Sequence, residues 1–215
     1  MEDLMLSLFV CLFIPLAMSL LVLAGKSKQL FIFFLSGIFM CLFAGQINGL
    51  LASVSGLDTY TLTTSVTPVV EEIVKIIPII ILAFILEPDR QTLLECAIMV
   101  GLGFATMENV YILMSNAGLV DFIWALSRGL GSAMLHAVTS LIVAYGISFC
   151  KVRKKTFITG TYAMLLEAMV LHGIYNMLVQ SDKFMHLGLL LPTLLFVPLA
   201  IAIIKQRKKL DNKNN

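Results

Sequence analysis

Four short patterns in this 215-residue chain bring together side chains that can move protons. "VVEEIVK" carries Glu71, Glu72 and Lys75, and "GFATMENV" carries Glu108 and Asn109. "SAMLHAVTS" carries His136 and Ser140, and "VLHGIYN" carries His172 and Asn176. Such a set suits activation of water and its attack on an amide. One glutamate takes the proton, while a histidine and Asn176 donate to the oxyanion of the tetrahedral intermediate. Lys75 would keep the two adjacent glutamates from being protonated together. A divalent metal such as zinc, held by Glu71, Glu108, His136 and His172, is the alternative water activator. No HExxH helix, GxSxG elbow or intramembrane aspartate pair is present, so the reading takes a glutamate mechanism without a metal cofactor.

Spacing argues that these groups converge. Glu71 with Lys75, His136 with Ser140 and His172 with Asn176 are each four residues apart, on one helical face. At about 1.5 Å per residue, Glu71 and Glu72 lie roughly 5–8 Å below one end of their segment. Glu108, His136 and His172 each lie about 12 Å below the same end. Because successive helices alternate in direction, sequence order does not force this agreement. Gly101, Gly103 and Ala105 before Glu108, and Gly129 and Gly131 before His136, would allow the close helix approach that such a site needs.

The elements that must carry them follow from composition. The chain is 59% hydrophobic and 13% charged, with mean hydropathy +0.97. Soluble domains are roughly 25% charged, so an all-α, polytopic membrane helix bundle is expected, as one domain over residues 1–215. Apolar runs at 4–24, 30–52, 68–86, 93–115, 124–150, 157–180 and 186–204 predict about seven transmembrane helices, each near the ~20 residues that cross a bilayer. The first is read as a retained span, since Glu2 and Asp3 stand where a signal peptide is basic. Twelve of the fifteen lysines and arginines fall on one side of this arrangement. The N-terminus is therefore expected outside and the C-terminus in the cytoplasm, with a basic tail at 205–215. A multi-pass location in the cell membrane follows, with the lipid bilayer as partner and no nucleic acid. Residues 55–67 form the longest expected outer loop, Thr67-Pro68 is the expected helix start, and Pro78 an expected kink.

Isolated in lipid, an ionisable group costs roughly 2.5–3.5 kcal/mol even on lenient scales, so the clustered ones must face one another or a wet cavity. Others have simpler readings. Arg128 is read as an interfacial anchor that snorkels outward. Glu167, near mid-membrane but off the face of His172 and Asn176, is read as a packing carboxylate outside the site. Cys11, Cys41, Cys96 and Cys150 form no CxxC pair and read as small buried hydrophobes. The basic stretch at 151–155 is an orientation signal.

Taken in order, Glu71-Glu72-x-x-Lys75, Gly103-Phe104-Ala105-x-x-Glu108-Asn109, His136 and His172-x-x-x-Asn176 resemble the motifs of the PrsW intramembrane proteases. These are relatives of the CAAX-prenyl-protease and bacteriocin-processing superfamily. The resemblance covers about residues 67–180, the expected catalytic helices. It implies a peptidase of the bacterial plasma membrane that makes the first, extracytoplasmic-side cut in a membrane-anchored anti-sigma factor, so that later proteolysis releases a stress sigma factor. It implies that Glu71 and Glu72 supply the base with Lys75 as charge partner, and that His172 and Asn176 line the oxyanion site. Glu108 stands where the CAAX proteases carry a histidine, and for His136 water, metal and substrate all stay open. A CAAX-type peptidase on a lipidated peptide, or a proton- or cation-coupled transporter using the carboxylates as a relay, are the alternative readings. The absence of an inverted repeat weighs against transport.

Overall fold

A computed structural model describes residues 23–116, 122–151, 157–181 and 183–214. Among the described residues the fold is all-helical, as expected. Helix α1 is Gly25–Ser55, α2 Thr67–Ile81, α3 Arg90–Ser115, α4 Phe122–Lys151, α5 Phe157–Val179 and α6 Met185–Asn214. Five of these, all but α2, are long and apolar enough to cross a membrane. The run expected at 4–24, with the outward N-terminus, lies outside the described residues. Helix α6 runs past its expected span through the basic tail to Asn214.

The expected third span differs in construction. Helix α2 has only 15 residues, about 22 Å at 1.5 Å per residue, too short for hydrocarbon ~30 Å thick. Two π-helical turns, Leu62–Val66 and Leu82–Leu86, extend it at both ends. The helical path begins earlier than the sequence indicated. Asp58 accepts from the Thr61 amide at 3.0 Å and the Thr61 hydroxyl at 2.7 Å, and caps a turn at Thr59–Thr61. Most of the expected outer loop is therefore helical, and Thr67 caps nothing by its side chain. Pro68 gives the physical reason for the π-turn before it. A proline has no N–H for the carbonyl four residues back, and the Thr67 amide bonds to Leu62 instead of following the α pattern. Helix α2 continues through Pro78 for three residues before it widens.

Helix α3 is the centre of the bundle, packed on α1 along one side and α4 along the other. Close approach explains this. A Cβ on Gly103 would strike the Phe34 carbonyl of α1, and one on Gly101 would strike the His136 carbonyl of α4. Gly37 on α1 is similarly pressed to the Val100 carbonyl. Among the described residues nothing lies against Gly129, so the expected packing role is not seen there. Asp89 caps the start of α3 through the Thr92 amide at 3.0 Å and hydroxyl at 2.6 Å. The main apolar core, with Leu82, Cys96, Ala97, Val100, Ala144 and Ile147, fills the Arg90 end of the bundle. Above it, toward Asn116 and Gln180, the interior turns polar.

Candidate active site

Glu71, Glu72, Lys75, Glu108, His136, His172 and Asn176 are all buried in that polar layer, none more than 9% exposed. Four helices supply them: α2, α3, α4 and α5. The histidine rings meet edge to face with centroids 4.9 Å apart. Helical spacing and depth had placed these groups together, and the structure does so.

The two adjacent glutamates have different surroundings. Glu72 Oε1 accepts from Lys75 Nζ at 2.6 Å and lies 2.9 Å from His172 Nδ1. The lysine pairs with Glu72, three residues away, rather than with Glu71 as the four-residue spacing indicated. An ionised carboxylate only accepts. The hydrogen of His172 therefore sits on Nδ1, and Nε2 presents its lone pair to the chamber. Across from that lone pair is Glu71 Oε2, 3.6 Å away. The gap is too long for a direct hydrogen bond. Glu71 Oε2 is buried without a hydrogen-bond partner among the described residues. Glu72 Oε2 shares that state, behind the lysine contact.

His136 is held differently. Its Nδ1 lies 3.3 Å from Lys75 Nζ and its Nε2 lies 3.0 Å from Glu108 Oε2. An ammonium can only donate, so Nδ1 accepts and Nε2–H points at Glu108. Lys75 completes its three donors on Thr139 Oγ1 at 2.7 Å. The Phe104 ring closes one wall, 5.0 Å from the His136 ring and 5.7 Å from Lys75 Nζ.

Glu108 is clamped by residues the sequence reading assigned elsewhere or passed over. Arg128 does not snorkel outward; its Nη2 donates to Glu108 Oε1 at 2.9 Å, while Ser132 donates to Oε2 at 2.8 Å. The clamp follows from burial, because a carboxylate inside the bundle needs a charge partner more than the interface needs an anchor. Arg128, Ser132 and His136 stand four residues apart on α4, and that stripe was the signal that could have found them. Thr139, one turn further, completes the set.

Asn176 donates through Nδ2 to the Thr63 carbonyl at 2.9 Å, and Thr63 donates to Gln180 Oε1 at 3.1 Å. Gly173 leaves room for the Thr64 carbonyl against α5. Helix α5 thus holds the π-turn that precedes Glu71. Asn109 and Ser140 lie outside the hydrogen-bonded group; Asn109 Oδ1 and Ser140 Oγ are buried without partners among the described residues. Glu167 points away from the chamber, as expected, but it is exposed on the bundle surface rather than packed. The physical reason is its angular position: nine residues before Asn176, it lies on the opposite side of α5 from the residue that faces the chamber.

A metal ion fits this donor set. One ligand atom from each of Glu71, Glu108, His136 and His172 lies within 4.8 Å of the others. Glu71 offers an unpartnered oxygen, and His172 a free Nε2 steadied by a carboxylate on its other nitrogen, the usual support of a histidine ligand. His136 would have to give up its Nε2 hydrogen to join them.

Comparison with known proteins agrees with this picture. The family model for PrsW family intramembrane metalloproteases matches residues 26–203, most of the chain. No curated protein and no solved structure matches it significantly.

Proposed function

We propose, from the chain's membership of the PrsW family of intramembrane metalloproteases, that it is an endopeptidase cutting a single-span membrane protein near the outer face. The favoured substrate class is a membrane-anchored anti-sigma factor, cut first here and further degraded by other proteases. The observation that carries the reading is the asymmetry of the glutamate pair. Glu72 is occupied by Lys75 and His172, whereas Glu71 Oε2, without a hydrogen-bond partner among the described residues, lies 3.6 Å from His172 Nε2.

A water beside the pair, within reach of both atoms, is oriented by them, and Glu71 is the base that takes its proton. The proton is then delivered to the leaving amide nitrogen, as general acid catalysis requires. Glu72 is a positioning residue: with Lys75 it fixes the hydrogen of His172 on Nδ1. The second N–H of Asn176 is a donor available to the developing oxyanion, whereas the ring N–H of His136 is already given to Glu108. A divalent ion held by Glu71, Glu108, His172 and, after loss of its hydrogen, His136 would supply Lewis acidity toward the amide carbonyl and water.

In this reading seven spans place the Asn116 end outside, and the chamber lies in the outer half of the membrane. Twelve of fifteen basic residues on the opposite side support it. Co-reconstitution with a single-span substrate tests the function. Wild type should release the outer fragment, while Glu71→Gln and His172→Ala should leave the substrate intact with thermal unfolding preserved. Release by all three proteins would remove the basis for the proposal.

A further inference from the structure

Glu167 is a carboxylate on the lipid-facing side of a membrane helix, about ten residues or ~15 Å from the start of α5. It has no hydrogen-bond or ion-pair partner among the described residues. A charge so placed is expensive, and such groups line a polar cavity or pair with something. Glu167 lines a cavity of about 290 Å³ between α3, α4, α5 and α6, at the end of the bundle away from the active chamber. The same cavity is lined by Arg90, whose guanidinium carbon lies 4.7 Å from the centroid of the Tyr145 ring. Arg90 and Glu167 do not pair with each other. Leu94, Leu141 and Leu199 complete an otherwise apolar lining.

An anion and a cation facing one apolar-walled space, open to lipid, are complementary to a zwitterion with a hydrocarbon tail. Helical side chains lean toward the helix N-terminus. Helices α3 and α5 both start at this end, and the Arg90 guanidinium, held over Tyr145, and the Glu167 carboxylate line the same cavity. The volume equals roughly ten waters at ~30 Å³ each, room for a headgroup though not for a folded peptide. Single-sign ligands would leave one of the two charges unanswered. Arg90 lies at the helix start, where a phosphate would sit, and a guanidinium is well suited to phosphate.

We propose that this cavity is a binding site for an aminophospholipid of the cytoplasmic leaflet, with its phosphate on Arg90 and its primary ammonium on Glu167. The site is separate from the chamber and does not depend on the protease reading. A primary ammonium donates hydrogen bonds to Glu167, which a quaternary choline cannot do, and a glycerol headgroup lacks the charge. The lipid ties α5 and α6 to the start of α3, bracing the helices that hold His172.

Native mass spectrometry of the full chain in detergent, with added dioleoyl phosphatidylethanolamine, phosphatidylcholine or phosphatidylglycerol, provides the test. Wild type should retain phosphatidylethanolamine roughly tenfold better than phosphatidylcholine, the change one lost charge-assisted contact produces. Glu167→Gln should abolish that preference and leave phosphatidylglycerol retention unchanged, whereas Arg90→Gln should weaken all three. Equal retention of the three lipids by wild type would overturn the site. So would a preference that survives Glu167→Gln. The variant Glu167→Leu gives a check independent of folding loss. If it melts higher than wild type in phosphatidylethanolamine vesicles, the carboxylate has no ammonium partner and the assignment fails.

Discussion

At the residue scale, two neighbouring glutamates of one motif sit in different surroundings because their neighbours differ. Glu71 is left open toward His172 Nε2, and Glu72 is closed by Lys75 and His172 Nδ1. Glu71→Gln should lower cleavage by about 10²–10⁴-fold, the usual contribution of a general base. It should leave the melting temperature unchanged or raised, since it replaces a buried carboxylate that has an unpartnered oxygen by a neutral amide. Lys75→Met should instead destabilise by about 3–5 kcal/mol, because it strands Glu72 in a site 1% exposed. Combining it with Glu72→Gln should recover much of that loss, and thermal unfolding of the four proteins in detergent measures the cycle. If Lys75→Met alone is neutral, the ion pair is not part of the interior. The sequence exposed the identity of all these groups because ionisable residues are conspicuous in apolar segments. It did not expose who pairs with whom. Lys75 is within reach of Glu71 by one helical spacing and Glu72 by another, and only the position of Thr139 and His136 across the interface decides.

At the element scale, backbone proximity positions the chamber. Gly101 admits the His136 carbonyl, and nothing among the described residues lies against Gly129. Gly101→Val should therefore cost at least the ~1–3 kcal/mol of core overpacking, and should displace His136 from Glu108 with loss of activity. Gly129→Ala should be tolerated or stabilising by up to ~1 kcal/mol through helix propensity. Equal effects of the two on the melting temperature would mean that small size at Gly101 does not set the α3–α4 distance. The glycines before Glu108 and before His136 look alike as sequence, because a small residue marks where approach is allowed, not where it occurs. The π-turn at Leu62–Val66 was equally illegible. Proline signals a missing donor, which a helix start, a kink or a widened turn can each absorb, and the choice here depends on Asn176 and Gly173 across on α5.

At the scale of the whole molecule, the apolar runs made the helical bundle legible, since hydrocarbon leaves few structures that satisfy the backbone. Six of the expected runs coincide with described helical segments, and the convergence of four of them on one polar layer follows from depth alone. What the sequence could not convey was the second polar place at the Arg90 end. Glu167 looks like a flaw in α5 until the cavity it shares with Arg90 is seen. The sidedness of the bundle gives its own prediction. Lys183→Cys should react with a membrane-impermeant maleimide added to intact cells, and Lys208→Cys only after permeabilisation. The reverse pattern would put the chamber in the cytoplasmic half.

The central claim is that Glu71 and His172 activate water within the outer half of the membrane. Mass mapping of products from the reconstituted reaction in ¹⁸O-labelled water addresses it most directly, with wild type and Glu71→Gln run side by side. Wild type should leave one ¹⁸O in the new carboxylate of a fragment ending in the outer part of the substrate's span, and Glu71→Gln should yield at least about a hundredfold less product. Product formation by Glu71→Gln at the wild-type rate, or a cut mapped to the cytoplasmic half of the span, would contradict it.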